Sequence, residues 1–258
     1  MKLILVIVLT ALLIVPFASC DRQASLQDAI ARAITRTSQA QSYRIMSNST
    51  LHSDGSTKVS SYELEYAASD RYHLFETANV EGGNVTTTTM MDGWSSVTVA
   101  TSGGWLEIIA AGDKGYWRGS NESQWRICEA LPSQTLENKL ELLDCLVGLE
   151  VLPDEEIGGI ECSHYRGEVD QDSYVDMIIE RNDEANWWIP PDILEWMLQQ
   201  EIVIELWIDG DDYIRRQRTE YRFPDPNVKE KWVSGFSITR YFDFNEPICI
   251  EPPEIGAE

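Results

Sequence analysis

The alternation of apolar and polar residues constrains this chain more than any other feature. Ile202, Ile204, Leu206 and Ile208 fall on one parity, so a pleated strand carries all four on a single face. Asp209-Gly210-Asp211-Asp212 then turns the chain, and residues 213–223 and 231–242 return as two long strands. Tyr62, Leu64 and Tyr66 alternate with Ser61, Glu63 and Glu65 in the same way. Tyr43, Ile45 and Leu51 share a parity in an earlier strand, which ends at the turn His52-Ser53-Asp54-Gly55. Further strands are predicted over 71–78, 85–91, 95–100, 105–110, 115–118 and 124–128, with breaks at Glu81-Gly82-Gly83 and Asp92-Gly93. Turn signals at this spacing describe an antiparallel meander.

Helical patterns interrupt the meander in three places. Ser25 and Asp28 form a capping-box pattern ahead of Leu26, Ala29, Ile30, Ala33, Ile34 and Thr37, one stripe over three turns. Between Pro132 and Gly148, Leu136, Leu140, Leu143 and Val147 make a second stripe, with Ser133 as N-cap and Gly148 as stop. Pro190-Pro191 opens a third, carrying Ile193, Leu194, Trp196, Met197 and Leu198. Strand patterns are predicted between the last two, over 159–168 and 174–180. The fold class is therefore α+β, mostly β, and nothing marks a linker or a repeat. One β-rich domain is expected over 20–258, with a disordered tail from about residue 250.

The N-terminus determines the compartment. Lys2 precedes an apolar run from Leu3 to Val15, broken only by Thr10. A run of this length fits the apolar core of a signal peptide and is short for a membrane span, which needs roughly 20 residues. Phe17-Ala18-Ser19-Cys20 resembles a bacterial lipobox, although Phe17 stands where Leu or Val is usual. By that resemblance residues 1–19 are a lipoprotein signal peptide and Cys20 is the lipid-attachment residue, a membrane anchor. Two acyl chains hold firmly where one is marginal.

Charge and cysteines narrow the functions. A net charge of −23 excludes a nucleic-acid binder, which needs clustered Lys and Arg, and disfavours lying flat on an anionic membrane. Cys128, Cys145, Cys162 and Cys249 allow up to two disulfides in an exported chain, in any of three connectivities. They show no zinc-ligand spacing, so no metal or other cofactor is expected. His52, His73 and His164 lie in no HExxH motif, and no nucleophile elbow or phosphate loop occurs. His164 reads as a strand histidine hydrogen-bonded in or beside the core, and no catalytic residue is assigned. The aromatics are more informative: nine tryptophans, with Trp187-Trp188 and Trp196-Met197 in one short segment, suit either a packed core or contact with a greasy ligand.

The order of motifs carries a resemblance. The lipobox and Ala-rich helix are followed by Ser42-Tyr43-Arg44, Asp70-Arg71-Tyr72, Asp113-Lys114-Gly115-Tyr116 and a tryptophan strand ending at Trp125. After the leucine helix come Gly158-Gly159-Ile160-Glu161-Cys162-Ser163-His164-Tyr165 and Ile204-Glu205-Leu206-Trp207-Ile208-Asp209 with Ile214-Arg215-Arg216. Together these resemble bacterial lipoproteins of the LolA/LppX-like superfamily, including the LppX and LprG type of lipid carriers.

That resemblance implies a curved antiparallel half-barrel sheet with helices covering its concave face. It implies a hydrophobic cavity between them that holds acyl chains of lipids or lipoproteins. Leu136, Leu140, Leu143, Trp196 and Met197 are then the candidate ligand-binding residues. The expected function is a non-enzymatic, membrane-anchored lipid carrier. The alternative is a solid-core structural or sensory envelope lipoprotein that works through a protein partner. The expected location is the outer face of the cytoplasmic membrane, which Asp21 after the cysteine favours, with an outer membrane as the other possibility.

Overall fold

A computed structural model describes residues 23–53, 56–67, 71–81, 86–91, 95–100, 104–112, 114–120, 122–129, 136, 140–184, 189–225, 228 and 230–255. Helix α1 occupies residues 23–38. The strands that follow are β1 (Ser42–Ser53), β2 (Ser56–Ala67), β3 (Arg71–Glu81), β4 (Thr86–Met91), β5 (Ser95–Ala100), β6 (Gly104–Ala111), β7 (Lys114–Gly119) and β8 (Glu122–Glu129). A 3-10 turn at Glu141–Cys145 leads into β9 (Leu146–Ile157) and β10 (Ile160–Val169). Helices α2 (Gln171–Glu184) and α3 (Pro191–Leu198) precede β11 (Glu201–Asp209), β12 (Ile214–Pro224) and β13 (Trp232–Phe242).

Eleven strands form one open antiparallel sheet in the order β8-β7-β6-β3-β2-β1-β13-β12-β11-β10-β9, and β4 and β5 pair as a separate hairpin. The sheet does not close: β8 and β9 are free edges. Edge β9 carries Glu150, Asp154, Glu155 and Glu156, and charge on an edge strand discourages pairing with another chain. The expected mostly-β half-barrel is the architecture observed.

Register explains the core. Ile108, Leu74, Leu64, Ile45 and Tyr241 lie opposite one another on five adjacent strands. Ala110, Tyr72, Tyr66 and Tyr43 form the next row. All nine side chains are buried. Ile30 and Ala33 of α1, together with Leu136, Leu140 and Leu143, pack on the same face as these rows. The α1 stripe is thus buried as its periodicity predicts. Its C-terminal turn is held by Thr37, whose buried hydroxyl accepts the Ile214 amide hydrogen at 3.0 Å. Ser25 lies inside the helix, which already runs at residue 23.

Three expectations are corrected. Residues 174–180, read as a strand, belong to α2. Asp170 caps that helix, its carboxylate accepting the Ser173 amide at 3.0 Å, and Tyr174, Val175, Met177 and Ile178 turn inward at helical spacing. Five apolar or half-apolar positions broken only by Asp176 fit either period, and the cap decides. Val147 and Gly148, read as a helix end, are strand residues of β9. Gly148 takes a φ of 62° there, which bends the edge strand. The expected tail from about 250 begins docked: Ile250 is buried against Ile109 and Tyr116, and its carbonyl accepts a hydrogen bond from Arg71.

Among the described residues, no disulfide joins Cys145, Cys162 or Cys249. Cys145 and Cys162 are buried free thiols, and Cys249 is an exposed one. Cys145 sits in the main core cluster and Cys162 on the β10 strand facing Asp209, so neither is placed beside the other. The Cys128 side chain lies outside the described residues, as do Cys20, Ser133, Trp187 and Trp188.

Candidate ligand-binding site

One row of the concave face has almost no side-chain bulk. Reading across eight strands, from β10 through β11, β12, β13, β1, β2 and β3 to β6, the register aligns Gly167, Ile204, Thr219, Ser237, Ser49, Ser60, Ala78 and Gly104. Only Ile204 is larger than threonine. The face is the concave one, because Ile204 is buried in the main core and Ser49 and Ser60 share a parity with Ile45 and Leu64.

Several of the floor's polar groups bond to one another. Ser49 and Ser60 hydroxyls are hydrogen-bonded at 2.7 Å. In the next row Ser47 bonds Thr239 at 2.9 Å, and Tyr241 donates to the Gln217 carbonyl oxygen at 3.2 Å. A hydroxyl bonded to its neighbour presents mainly carbon upward and is cheap to cover with an apolar group. Thr219, Ser237, Ser49 and Ser60 are nevertheless only half-buried, so no helix among the described residues seals this part of the sheet. Burial raises the ionisation of the Tyr241 hydroxyl far above the usual tyrosine range and that of Tyr221 above it as well.

Aromatic rings rim the belt. Tyr62 stands on its core side and Tyr221 on the other, each packed against the core. Tyr221 and Phe223 stack with centroids 6.1 Å apart. The Tyr221 ring lies across Gly235, where an added Cβ would sit 2.8 Å from its Cε2 and collide with the Thr50 carbonyl oxygen. Helix α3 meets this rim: Trp196 approaches Phe223 edge-on at 5.4 Å, and its Nε1 donates to the Pro224 carbonyl at 2.8 Å.

The five candidate ligand residues fall in two groups. Leu136, Leu140 and Leu143 are at most 2% exposed and belong to the packed core beside α1. Trp196 and Met197 are half-buried on α3, at the far rim of the belt. The structure therefore does not bring the five together into one wall. The belt itself escapes a reading of the sequence, because its members are scattered singly along the chain and only strand register aligns them.

His164 is placed on the convex face. It is 5% exposed and stacked on Trp207, with Glu155 at 3.6 Å from Nδ1 and Glu205 at 3.5 Å from Nε2. Neither ring nitrogen has a hydrogen-bond partner, which corrects the expectation of a hydrogen-bonded histidine. Packing on the indole, and not a polar bond, holds the ring. His73 lies elsewhere on that face and contacts Glu107 at 2.9 Å. Among the described residues no group of three or more His, Cys, Asp or Glu is arranged to hold a metal ion. No helix among them is long and apolar enough to cross a membrane.

No family profile matches the chain, and no curated protein matches it. Among solved structures it is similar to LprF from Mycobacterium bovis, at 11% identity and a TM-score of 0.49, over 89% of this chain and 97% of that one. It is also similar to the Mycobacterium tuberculosis lipoprotein LppX, at 13% identity and a TM-score of 0.46, over 89% of this chain and 100% of that one. A LolA superfamily protein from Nitrosomonas europaea matches at 9% identity and a TM-score of 0.25, over 84% of this chain and 91% of that one.

Proposed function

We propose that this chain is a non-enzymatic lipoprotein, anchored through acylated Cys20, that carries a lipid or other apolar ligand against the concave face of its sheet. The observation that supports this reading is the belt from Gly167 to Gly104. Protein interiors are close-packed, and a face meant only for a helix is filled with branched aliphatic residues, as the row through Ile45, Leu64, Leu74 and Ile108 is. A row of small, internally bonded side chains rimmed by Tyr62, Tyr221, Phe223 and Trp196 leaves volume for an extended apolar chain. Binding would come from exclusion of water, at about 0.8 kcal/mol for each methylene buried, with few polar contacts needed. The export signal and anchor would place the protein on the outer face of the cytoplasmic membrane.

The test is native mass spectrometry of the full-length protein purified in a mild non-ionic detergent, followed by extraction and identification of retained lipid. A stoichiometric lipid released on denaturation supports the carrier and names its ligand class. Protein that stays empty after incubation with envelope lipids sinks it. The burial of Leu136, Leu140 and Leu143 in a filled core would then favour a solid-core lipoprotein acting through a protein partner.

A further inference from the structure

The convex face carries a cavity of its own, of about 430 Å³. One wall is the tip of the β9–β10 hairpin, where Gly158 and Gly159 take φ values of 62° and 88° and turn the chain between Ile157 and Ile160. The opposite wall is the outer side of β12, β13 and β1: Arg216, Arg240, Phe242 and Met46. Met46 and Ile160 are both exposed large hydrophobic residues, at 42% and 38%.

The charges at this cavity run against the rest of the chain. Carboxylates outnumber Lys and Arg by 43 to 20, so an arginine has abundant possible partners. Arg215, also at the cavity, is paired with Asp209. Arg216 and Arg240 make no ion pair among the described residues, yet they stand directly opposite each other on β12 and β13. Like charges placed opposite in a sheet repel. Arg216 is also held in place, its guanidinium lying 4.4 Å over the Trp207 ring with a buried Nε that finds no acceptor. Among the described residues, Glu156 is the one carboxylate that lines the cavity. Two positive groups facing each other beside apolar walls are an arrangement that lacks an anion.

We propose that this cavity binds an anionic amphiphile, a phosphate or carboxylate headgroup carrying a short apolar chain. The headgroup oxygens accept hydrogen bonds from both Arg216 and Arg240, whose planar donors suit such oxygens. The chain lies against Met46, Ile157, Ile160 and Phe242. Ligand binding removes the repulsion between the two strands, so it is favoured by more than the new contacts alone. The site lies on the face of the sheet opposite the small-residue belt and stands whether or not that belt carries lipid.

Isothermal titration of the full-length protein in an uncharged maltoside detergent tests this, with hexyl phosphate, inorganic phosphate and hexanol as probes. Hexyl phosphate is expected to bind at one site, inorganic phosphate at least tenfold more weakly, and hexanol not measurably. Arg240→Gln and Arg216→Gln should each weaken hexyl phosphate at least tenfold, and Arg240→Lys should weaken it less. Equal affinity for inorganic and hexyl phosphate overturns the amphiphile assignment, and unchanged affinity in Arg240→Gln overturns the site. Thermal melting separates binding from folding. Without ligand, Arg240→Gln should melt no lower than the native protein, because one of two opposed charges is gone, and a lower melting temperature would assign Arg240 a structural role instead.

Discussion

The imidazole of His164 lies stacked on the indole of Trp207, with ring centroids 4.1 Å apart and planes 18° from parallel. The two residues are register neighbours on β10 and β11, and Arg216, the next residue in that row, covers the indole from β12. Trp207 is 2% exposed although it belongs to the convex face, and its Nε1 donates to Glu155 at 3.2 Å. The stack therefore ties edge strand β9 and its neighbour β10 to the centre of the sheet.

Trp207→Ala should cost about 3–5 kcal/mol, the range for removing a buried aromatic ring. Urea denaturation of the variant measures it. A loss below about 1 kcal/mol would mean that β9 and β10 are held by backbone pairing alone.

Gly235→Ala should destabilise by about 1–3 kcal/mol, the usual cost of forcing extra bulk into a packed site. The new Cβ meets the Thr50 carbonyl oxygen, which is backbone and cannot rotate away. It also lifts the Tyr221 ring from the floor, so retained lipid should fall along with stability. A variant as stable as the native protein would show that β1 and β13 separate readily at this point.

Trp196→Ala removes one hydrogen bond to the Pro224 carbonyl and the edge contact with Phe223. Retained lipid per molecule should drop by more than half while the melting temperature falls only a few degrees, because α3 carries no fully buried residue. Unchanged lipid content by mass spectrometry would remove Trp196 from the ligand rim.

Alkaline pH should unfold the protein through its tyrosines. Burial raises the ionisation of Tyr241, Tyr221 and Tyr174 in the folded state above that of an unfolded tyrosine, about 10. The stabilisation is complete below that pH, where both states keep their protons. It is lost as pH rises further, because the unfolded chain ionises first and is drawn down. Denaturation midpoints should be flat across neutral pH and fall above about 10. Tyr241→Phe should make the fall shallower, and an unaltered slope would assign it to other groups.

Thiol chemistry should follow burial. Burial, with Asp144 and Asp170 near Cys145 and Asp209 near Cys162, pushes both thiols up. Iodoacetamide should therefore modify exposed Cys249 in the native protein and reach Cys145 and Cys162 only on unfolding. Mass mapping of the modified peptides checks this. Protection of Cys249 as well would indicate that its thiol is covered.

Elements that carry a clean period were legible from the residues alone. The alternation in β2 and β11 and the stripe on α1 each leave one face apolar, so burial follows whatever the partner is. The stretch 174–180 misleads because Tyr-Val-Asp-Met-Ile-Ile suits both periods, and the Asp170 cap that settles it acts from outside the stretch. Edge strand β9 is hidden for a different reason. Its acidic residues read as solvated surface, and an edge strand can be solvated on one side and still pair on the other.

By itself the sequence determined the strand-rich class and the stripes that must be buried, because both depend on residues close together in the chain. Tertiary structure alone decided the small-residue belt and the Arg216–Arg240 opposition. Ser49, Ser60, Thr219 and Ser237 acquire meaning only when register sets them in one row, and Arg216 meets Arg240 only across a strand pair. Local period dictates which face a residue takes, whereas pairing across the sheet dictates its neighbours, and a binding site is made of neighbours.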